Sequence, residues 1–115
     1  MPISTRGLHP EVRLRADWAL GWAAHYNVPV TVTSTRRTWE EQQRLRTRWE
    51  QGKSKFPANK PGDSAHQWGL AWDSVTEPEY QAWWNEVRRL AGFEVLSHDR
   101  IHAQVPNWRQ YVQRR

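Results

Sequence analysis

Ser64-Ala65-His66-Gln67-Trp68-Gly69-Leu70-Ala71-Trp72-Asp73 is the stretch whose reading decides the fold. It offers one imidazole and one carboxylate seven positions apart, with a glycine and small residues between them. On a helix, positions seven apart would share a face, but Pro61-Gly62-Asp63-Ser64 just upstream is turn chemistry. Gly69 to Val75 reads better as a short buried strand. On a strand, Gly69, Ala71 and Asp73 point to one side and Leu70 and Trp72 to the other. Asp73 then projects from a rigid element with small neighbours, and His66 arrives from the preceding loop. Nitrogen and oxygen ligands converging in this way suit a zinc ion.

Downstream, Phe93-Glu94-Val95-Leu96 reads as a strand, with Ile101-His102-Ala103-Gln104-Val105 as its hairpin partner and Pro106 as the stop. The segment Asp99-Arg100-Ile101-His102 supplies a second imidazole with a carboxylate three residues before it. His66, Asp73 and His102 together make a three-ligand set with a fourth position left for water, the catalytic rather than the closed structural form of zinc coordination. Asp99 remains as a general base. Upstream, Val28-Pro29-Val30-Thr31-Val32-Thr33-Ser34 is β-branched and alternating, a strand whose Pro29 marks a sheet edge or strand start. It delivers Ser34 and Arg37 to a loop at its C-terminal end.

Helices fill the intervals. Glu11 to Tyr26, led by Pro10, carries Leu14, Trp18 and Trp22 at four-residue spacing beside Ala19 and Ala23, a face expected to be core, and Asn27 ends it. Thr38-Trp39-Glu40-Glu41 is a capping box for a helix running to about Gln51, partly exposed because only Trp39, Leu45 and Trp49 are strongly apolar. Its Arg44, Arg46 and Arg48 read as a solvated face. Gly52 to Asp63 is a long loop holding Lys53, Lys55 and Lys60, the chain's only lysines: a solubilising loop or a basic rim facing an acidic substrate. Thr76-Glu77-Pro78-Glu79 reads as a second capping box, before an amphipathic helix with Tyr80, Trp83, Trp84, Val87, Leu90 and Ala91 on one face, closed by Gly92. Trp108 to Arg115 is a tail or short helix. The whole, residues 1–115, reads as a single α+β domain with a small, mainly antiparallel central sheet and packed helices.

Composition narrows the chemistry. With no cysteine among 115 residues, a metal must be held by histidine and carboxylate. No apolar run approaches the ~20 residues that span a bilayer. Met1-Pro2-Ile3-Ser4-Thr5-Arg6 is followed by no apolar segment of the secretory kind, so the expectation is synthesis in the cytoplasm without a signal peptide. The 17 Lys+Arg against 12 Asp+Glu give a net charge of +5, which favours polyanions, whether nucleic acid or an anionic cell envelope, or simply solubility. Most of the 9 tryptophans are expected in the core, with one or two lining a site.

Ser64-x-His66-x-x-Gly69-x-Ala71-x-Asp73 together with Asp99-x-x-His102 resembles the zinc D-alanyl-D-alanine carboxypeptidase and L-alanyl-D-glutamate endopeptidase family, which includes many small phage endolysins. Ser34-Thr35-Arg36-Arg37 resembles that family's Ser-x-x-Arg at a strand end, and Glu40-Glu41-Gln42 its following helix. The resemblance runs from Val28 to Trp108. It implies a central antiparallel sheet whose face carries zinc on His66, Asp73 and His102, with Asp99 as base. Arg37 then holds the substrate carbonyl and its developing oxyanion, and Ser64, Ser34 and Trp68 contribute to substrate binding. The implied activity is hydrolysis of bacterial peptidoglycan by a monomeric endolysin. The protein is made in the host cytoplasm and acts on the wall after release, with its basic surface drawn to the envelope and no specific nucleic-acid partner. Asp99 in place of the Glu of carboxypeptidase members favours the L-alanyl-D-glutamate bond over the terminal D-alanyl-D-alanine bond. Ile101, Ala103 and Gln104 depart from the endolysin pattern of Pro before the last His and Phe-Glu after it. Gln104 cannot supply the usual carboxylate, although it can hydrogen-bond.

Two other readings stand beside this one. His98-Asp99-Arg100-Ile101-His102 resembles the His-Glu-x-x-His helix of other metalloproteases, but its surroundings read as strands and Asp stands for Glu. A basic, Trp-rich chain also suits an inactive module binding cell wall or nucleic acid.

Overall fold

The computed structural model describes residues 3–113. Four helices, α1 (Pro10–His25), α2 (Trp39–Glu50), α3 (Gln81–Leu90) and α4 (Trp108–Gln113), surround four strands, β1 (Val30–Ser34), β2 (Ala71–Thr76), β3 (Glu94–Leu96) and β4 (Asp99–Gln104). The strands form one antiparallel sheet in the order β1-β2-β4-β3, so β2 and β4 are central. The expected α+β class with a small antiparallel sheet is what forms. Among the described residues no helix is long and apolar enough to cross a membrane. Arg114 and Arg115, the end of the expected tail, lie outside the described residues.

Local chemistry accounts for most boundaries. The capping box at α2 forms in full: Thr38 Oγ1 accepts from the Glu41 amide, and the Glu41 carboxylate accepts from the Thr38 amide. Asn27, in the left-handed region at φ 57°, turns the chain out of α1, and Gly92 does the same after α3. The 52–63 segment has no regular element, and its three lysines are exposed.

Four expectations fail. Most tryptophans are not core: of the 9, Trp72, Trp84 and Trp108 are buried, whereas Trp18, Trp22 and Trp39 are exposed. The Leu14–Trp18–Trp22 face of α1 is not core: Leu14 is 73% and Trp18 47% exposed, and Trp22 is exposed too. The buried stripe is Val12, Ala16, Ala19 and Ala23. Small side chains let the helix backbone sit close to the core, and the neighbouring large rings stack outside on one another, Trp22 against Tyr26 at 5.7 Å. Leu90, expected to be buried, is 75% exposed, while its neighbour Arg88 is fully buried. The second capping box does not exist. Thr76 remains in β2 and donates its hydroxyl to Pro29 O at 2.7 Å, and a 3-10 turn, Pro78–Tyr80, leads into α3 without a side-chain cap.

The core lies between the sheet and helices α1 and α3. Its largest members are Trp72 and Trp84, both fully buried with their rings 6.0 Å apart edge to face, and Phe93 packs against Trp72. Trp84 keeps its indole N–H satisfied by donating to Ser74 Oγ at 2.8 Å.

Candidate metal centre

Asp73 is the hub. It sits on central strand β2, opposite His102 on β4 and Ser34 on β1. Direct antiparallel partners bring side chains within about 5 Å at Cβ, so the register alone places His102 beside Asp73. His66 comes from a short 3-10 turn, Ala65–Trp68, rather than the irregular loop expected. Gly69 ends that turn in the left-handed region at φ 70°. A side chain there would also strike the backbone of His9, 2.7 Å from where a Cβ would stand.

The turn is fastened to the segment after β1 in both directions. The Arg37 amide donates to His66 O at 3.1 Å, and His66 Nδ1 donates to Thr35 O at 2.7 Å. A carbonyl only accepts, so Nδ1 carries the proton and the neutral ring presents a bare Nε2. That Nε2 is buried, has no hydrogen-bond partner, and lies 3.2 Å from Asp73 Oδ1. His102 repeats the pattern with its nitrogens exchanged. Gln104 Nε2 donates to the Glu94 carboxylate at 2.9 Å, so Gln104 turns its Oε1 to His102 Nε2, also at 2.9 Å. His102 Nε2 therefore carries a proton, and Nδ1 faces the same Asp73 Oδ1 at 3.2 Å. The three acceptor atoms of His66, Asp73 and His102 lie within 4.8 Å of one another.

Acceptors crowded together out of water lack something between them. Burial alone would raise the Asp73 pKa, but the two imidazoles outweigh it and hold the carboxyl well below its ordinary range. Burial would lower the His102 pKa, but the Asp73 carboxylate and Gln104 raise it above the ordinary imidazole value. Without a metal, a proton is what His102 takes up. A divalent cation answers the same demand with more charge, and two nitrogens plus one carboxylate oxygen are the donor set zinc accepts. The residues fit the ion.

Around the cluster the other expected residues separate. Arg37 is at the site, its Nη2 3.5 Å from Asp73 Oδ2, the oxygen turned away from the imidazoles. Ser34 flanks Asp73 in the sheet, and Ser64 is buried where the His66 turn begins. Trp68 is half-buried, its indole donating to Gly62 O and its ring edge-on to Trp39, so it ties the turn to α2 and the 52–63 loop. Asp99 opens β4, exposed and outside the acceptor cluster, yet close enough for its charge to favour protonated His102. His98 lies in the turn between β3 and β4 and is not in the cluster, and no helix forms around it, so the His-x-x-x-His alternative has no structural basis.

Two supporting residues have roles that the sequence did not reveal. Gln42, almost wholly buried in α2, donates to Asn59 O at 2.8 Å and accepts from Arg37 Nη1, joining Arg37 to the long loop. Arg88, fully buried, donates to Arg100 O at 2.6 Å, Ile101 O at 3.3 Å and Asn85 Oδ1 at 2.6 Å, and so holds the β4 backbone between Asp99 and His102. No hydrophobic periodicity reveals a buried cation. The one available signal was a charged residue inside the apolar face of a helix.

No protein-family model matches the chain, and no curated protein does. Solved structures do. An L-Ala D-Glu endopeptidase of Serratia marcescens superimposes with a TM-score of 0.68 at 24% identity, over 94% of this chain and 86% of that one. The chain shares the fold of that enzyme. The same fold appears in a zinc-bound vancomycin-resistance D,D-pentapeptidase, VanY (TM-score 0.67, 20% identity, 92% of this chain and 76% of that one). It appears again in an L,D-carboxypeptidase from Streptococcus pneumonia (TM-score 0.68, 19% identity, 98% and 77%).

Proposed function

We propose that the chain is a zinc-dependent peptidoglycan peptidase, with zinc held by His66, Asp73 and His102. The observation that carries the reading is the buried convergence of three acceptor atoms within 4.8 Å, on a fold shared with peptidases of that substrate class. Zinc in such a site polarises a peptide carbonyl and lowers the pKa of bound water to about 7. Arg37 donates to the carbonyl oxygen as negative charge develops there, and the Asp73 carboxylate and Gln42 keep its guanidinium aimed. Asp99 takes the proton from water and later returns it to the departing amine. Thr35 O and Gln104 hold the two imidazoles in the tautomers that leave their ligand nitrogens bare.

The finer reading is cleavage of the L-alanyl-D-glutamate bond, as an endolysin would do. It rests on Asp99, rather than Glu, three residues before His102. The remaining parts of the proposal are a monomer made in a host cytoplasm, released to the wall, and drawn to an anionic envelope by its net +5 charge.

The test has two stages. Protein purified without chelator is expected to contain about one zinc per chain by elemental analysis. Digestion of purified peptidoglycan, read by mass spectrometry, is expected to expose new N-terminal D-glutamate and leave L-alanine on the glycan. Release of single D-alanine alone would replace the endopeptidase assignment with a carboxypeptidase. Absence of both zinc and cleavage would favour an inactive wall-binding module.

A further inference from the structure

We propose that Glu94 is a positioning residue for the metal centre, acting through Gln104 to fix the tautomer of His102. The inference rests on the zinc reading of the site. Glu94 and Gln104 are direct partners across β3 and β4, and Gln104 lies two residues beyond His102 on the same face of β4. The three side chains form a line: Gln104 Nε2 donates to Glu94 Oε1 at 2.9 Å, and His102 Nε2 donates to Gln104 Oε1 at 2.9 Å.

The direction of that line depends on its far end. A glutamine amide has a donor end and an acceptor end and can turn either one to the imidazole. With its donor end toward the ring, it would favour protonation at Nδ1 and a lone pair at Nε2, which faces away from Asp73. With its acceptor end toward the ring, the proton sits on Nε2, and Nδ1 is free to face Asp73 and His66. A carboxylate only accepts, so Glu94 takes the donor end of Gln104 and leaves the acceptor end for His102. Gln104 alone cannot make this choice. The carboxylate that position 104 lacks is thus supplied from the neighbouring strand, one amide further out.

Outer partners of metal-bound histidines typically contribute about 10- to 100-fold in metal affinity. Glu94 is exposed, so the expected effect is at the lower end. Zinc affinity is to be measured by competition with a chromophoric chelator for wild type, Glu94→Ala, and the double variant Glu94→Gln with Gln104→Glu, which exchanges the two groups. Glu94→Ala is expected to weaken zinc binding about 10-fold, and the exchange to restore it, because the carboxylate then accepts directly from His102. In metal-free protein, at a pH where the ring is neutral, the Asp73 carboxylate competes for the ring proton at Nδ1, so nitrogen NMR shifts of His102 should report a larger fraction protonated at Nε2 in wild type than in Glu94→Ala. Unchanged affinity and an unchanged tautomer in Glu94→Ala would overturn the proposal. So would an exchange variant as weak as Glu94→Ala, which would mark a general disturbance of the hairpin. If wild type binds no zinc, the proposed function fails, while the tautomer measurement still decides the role of Glu94.

Discussion

Two polar clusters are buried on either side of the same strand segment, and they are built in opposite ways. Arg88 is a donor surrounded by acceptors: the Arg100 and Ile101 carbonyls, the Asn85 side chain and, through Nε, Trp84 O. Burial lowers its pKa only to about 10, so it stays charged at neutral pH. The His66–Asp73–His102 cluster is the reverse, a set of acceptors facing one another with the His66 Nε2 left over. A buried group whose hydrogen bonds are made is a structural part. A buried group whose partner is absent points to a ligand. The contrast assigns Arg88 to the fold and the acceptor cluster to chemistry, although both lie within a few residues of His102.

The largest effect that can test this division belongs to Asp99, which sits in neither cluster. Asp99→Ala is expected to lower turnover on peptidoglycan about 100- to 10,000-fold and to leave the zinc content by elemental analysis unchanged. Retained turnover would move the base elsewhere. Next is Asp73→Ala. Removing the hub of the acceptor cluster should weaken zinc binding by more than the ~100-fold that an outer partner can contribute, while the metal-free chain stays folded and loses only the pH-linked stability that Asp73 shares with the two imidazoles. A strongly destabilised metal-free variant would make the cluster structural after all.

Arg88→Met should do the opposite. It leaves the Arg100 and Ile101 carbonyls without their donor, at about 1–3 kcal/mol for each unpaired group, so urea unfolding should reveal a loss of about 3 kcal/mol. The smallest effect is in pH. The raised pKa of His102 contributes stability to the metal-free protein that is complete below the ordinary imidazole value of about 6.5 and is lost as pH rises through the raised value. Asp73, whose pKa is depressed, contributes stability that is present above the ordinary carboxylate value and is lost only in stronger acid. Between those limits, the melting temperature of metal-free protein should fall as pH rises past neutrality. The increment added by zinc should grow over the same range, because zinc binds the neutral ring. Parallel trends with and without zinc would mean that proton and metal do not share the site.

The centre of this molecule was legible in the sequence because local rules govern it. β-branched alternation placed β1, turn chemistry before Ser64 freed the chain to enter β2, and the hairpin around Ser97-His98 brought His102 back beside Asp73. Position along the chain was enough to bring His66, Asp73 and His102 together. The outer face of α1 was not legible, because two stripes on one helix compete: spacing favours Trp18 and Trp22, whereas close approach to the core favours Ala16, Ala19 and Ala23. Side-chain size decided between them, and size is weighed only against a neighbour the sequence does not reveal. Thr76 failed as a cap for the same reason, since its hydroxyl had a strand partner at Pro29. Arg88, Gln42 and Glu94 act through contacts 10 or more residues away or through backbone carbonyls, which leave no local mark.

The two outer strands of the sheet each have a carbonyl already engaged. The Ile3 amide donates to Val32 O on β1, and Arg89 Nη2 donates to Val95 O on β3, both at 3.1 Å. Pro29 precedes β1, and β3 is only three residues long. One carbonyl on each border is thus already taken, and the shortness of β3 limits the edge that an incoming strand could pair with. On the proposed function, a peptide substrate reaches Asp73 and His102 from the face of the sheet, because both lie on its central strands β2 and β4 rather than at a border.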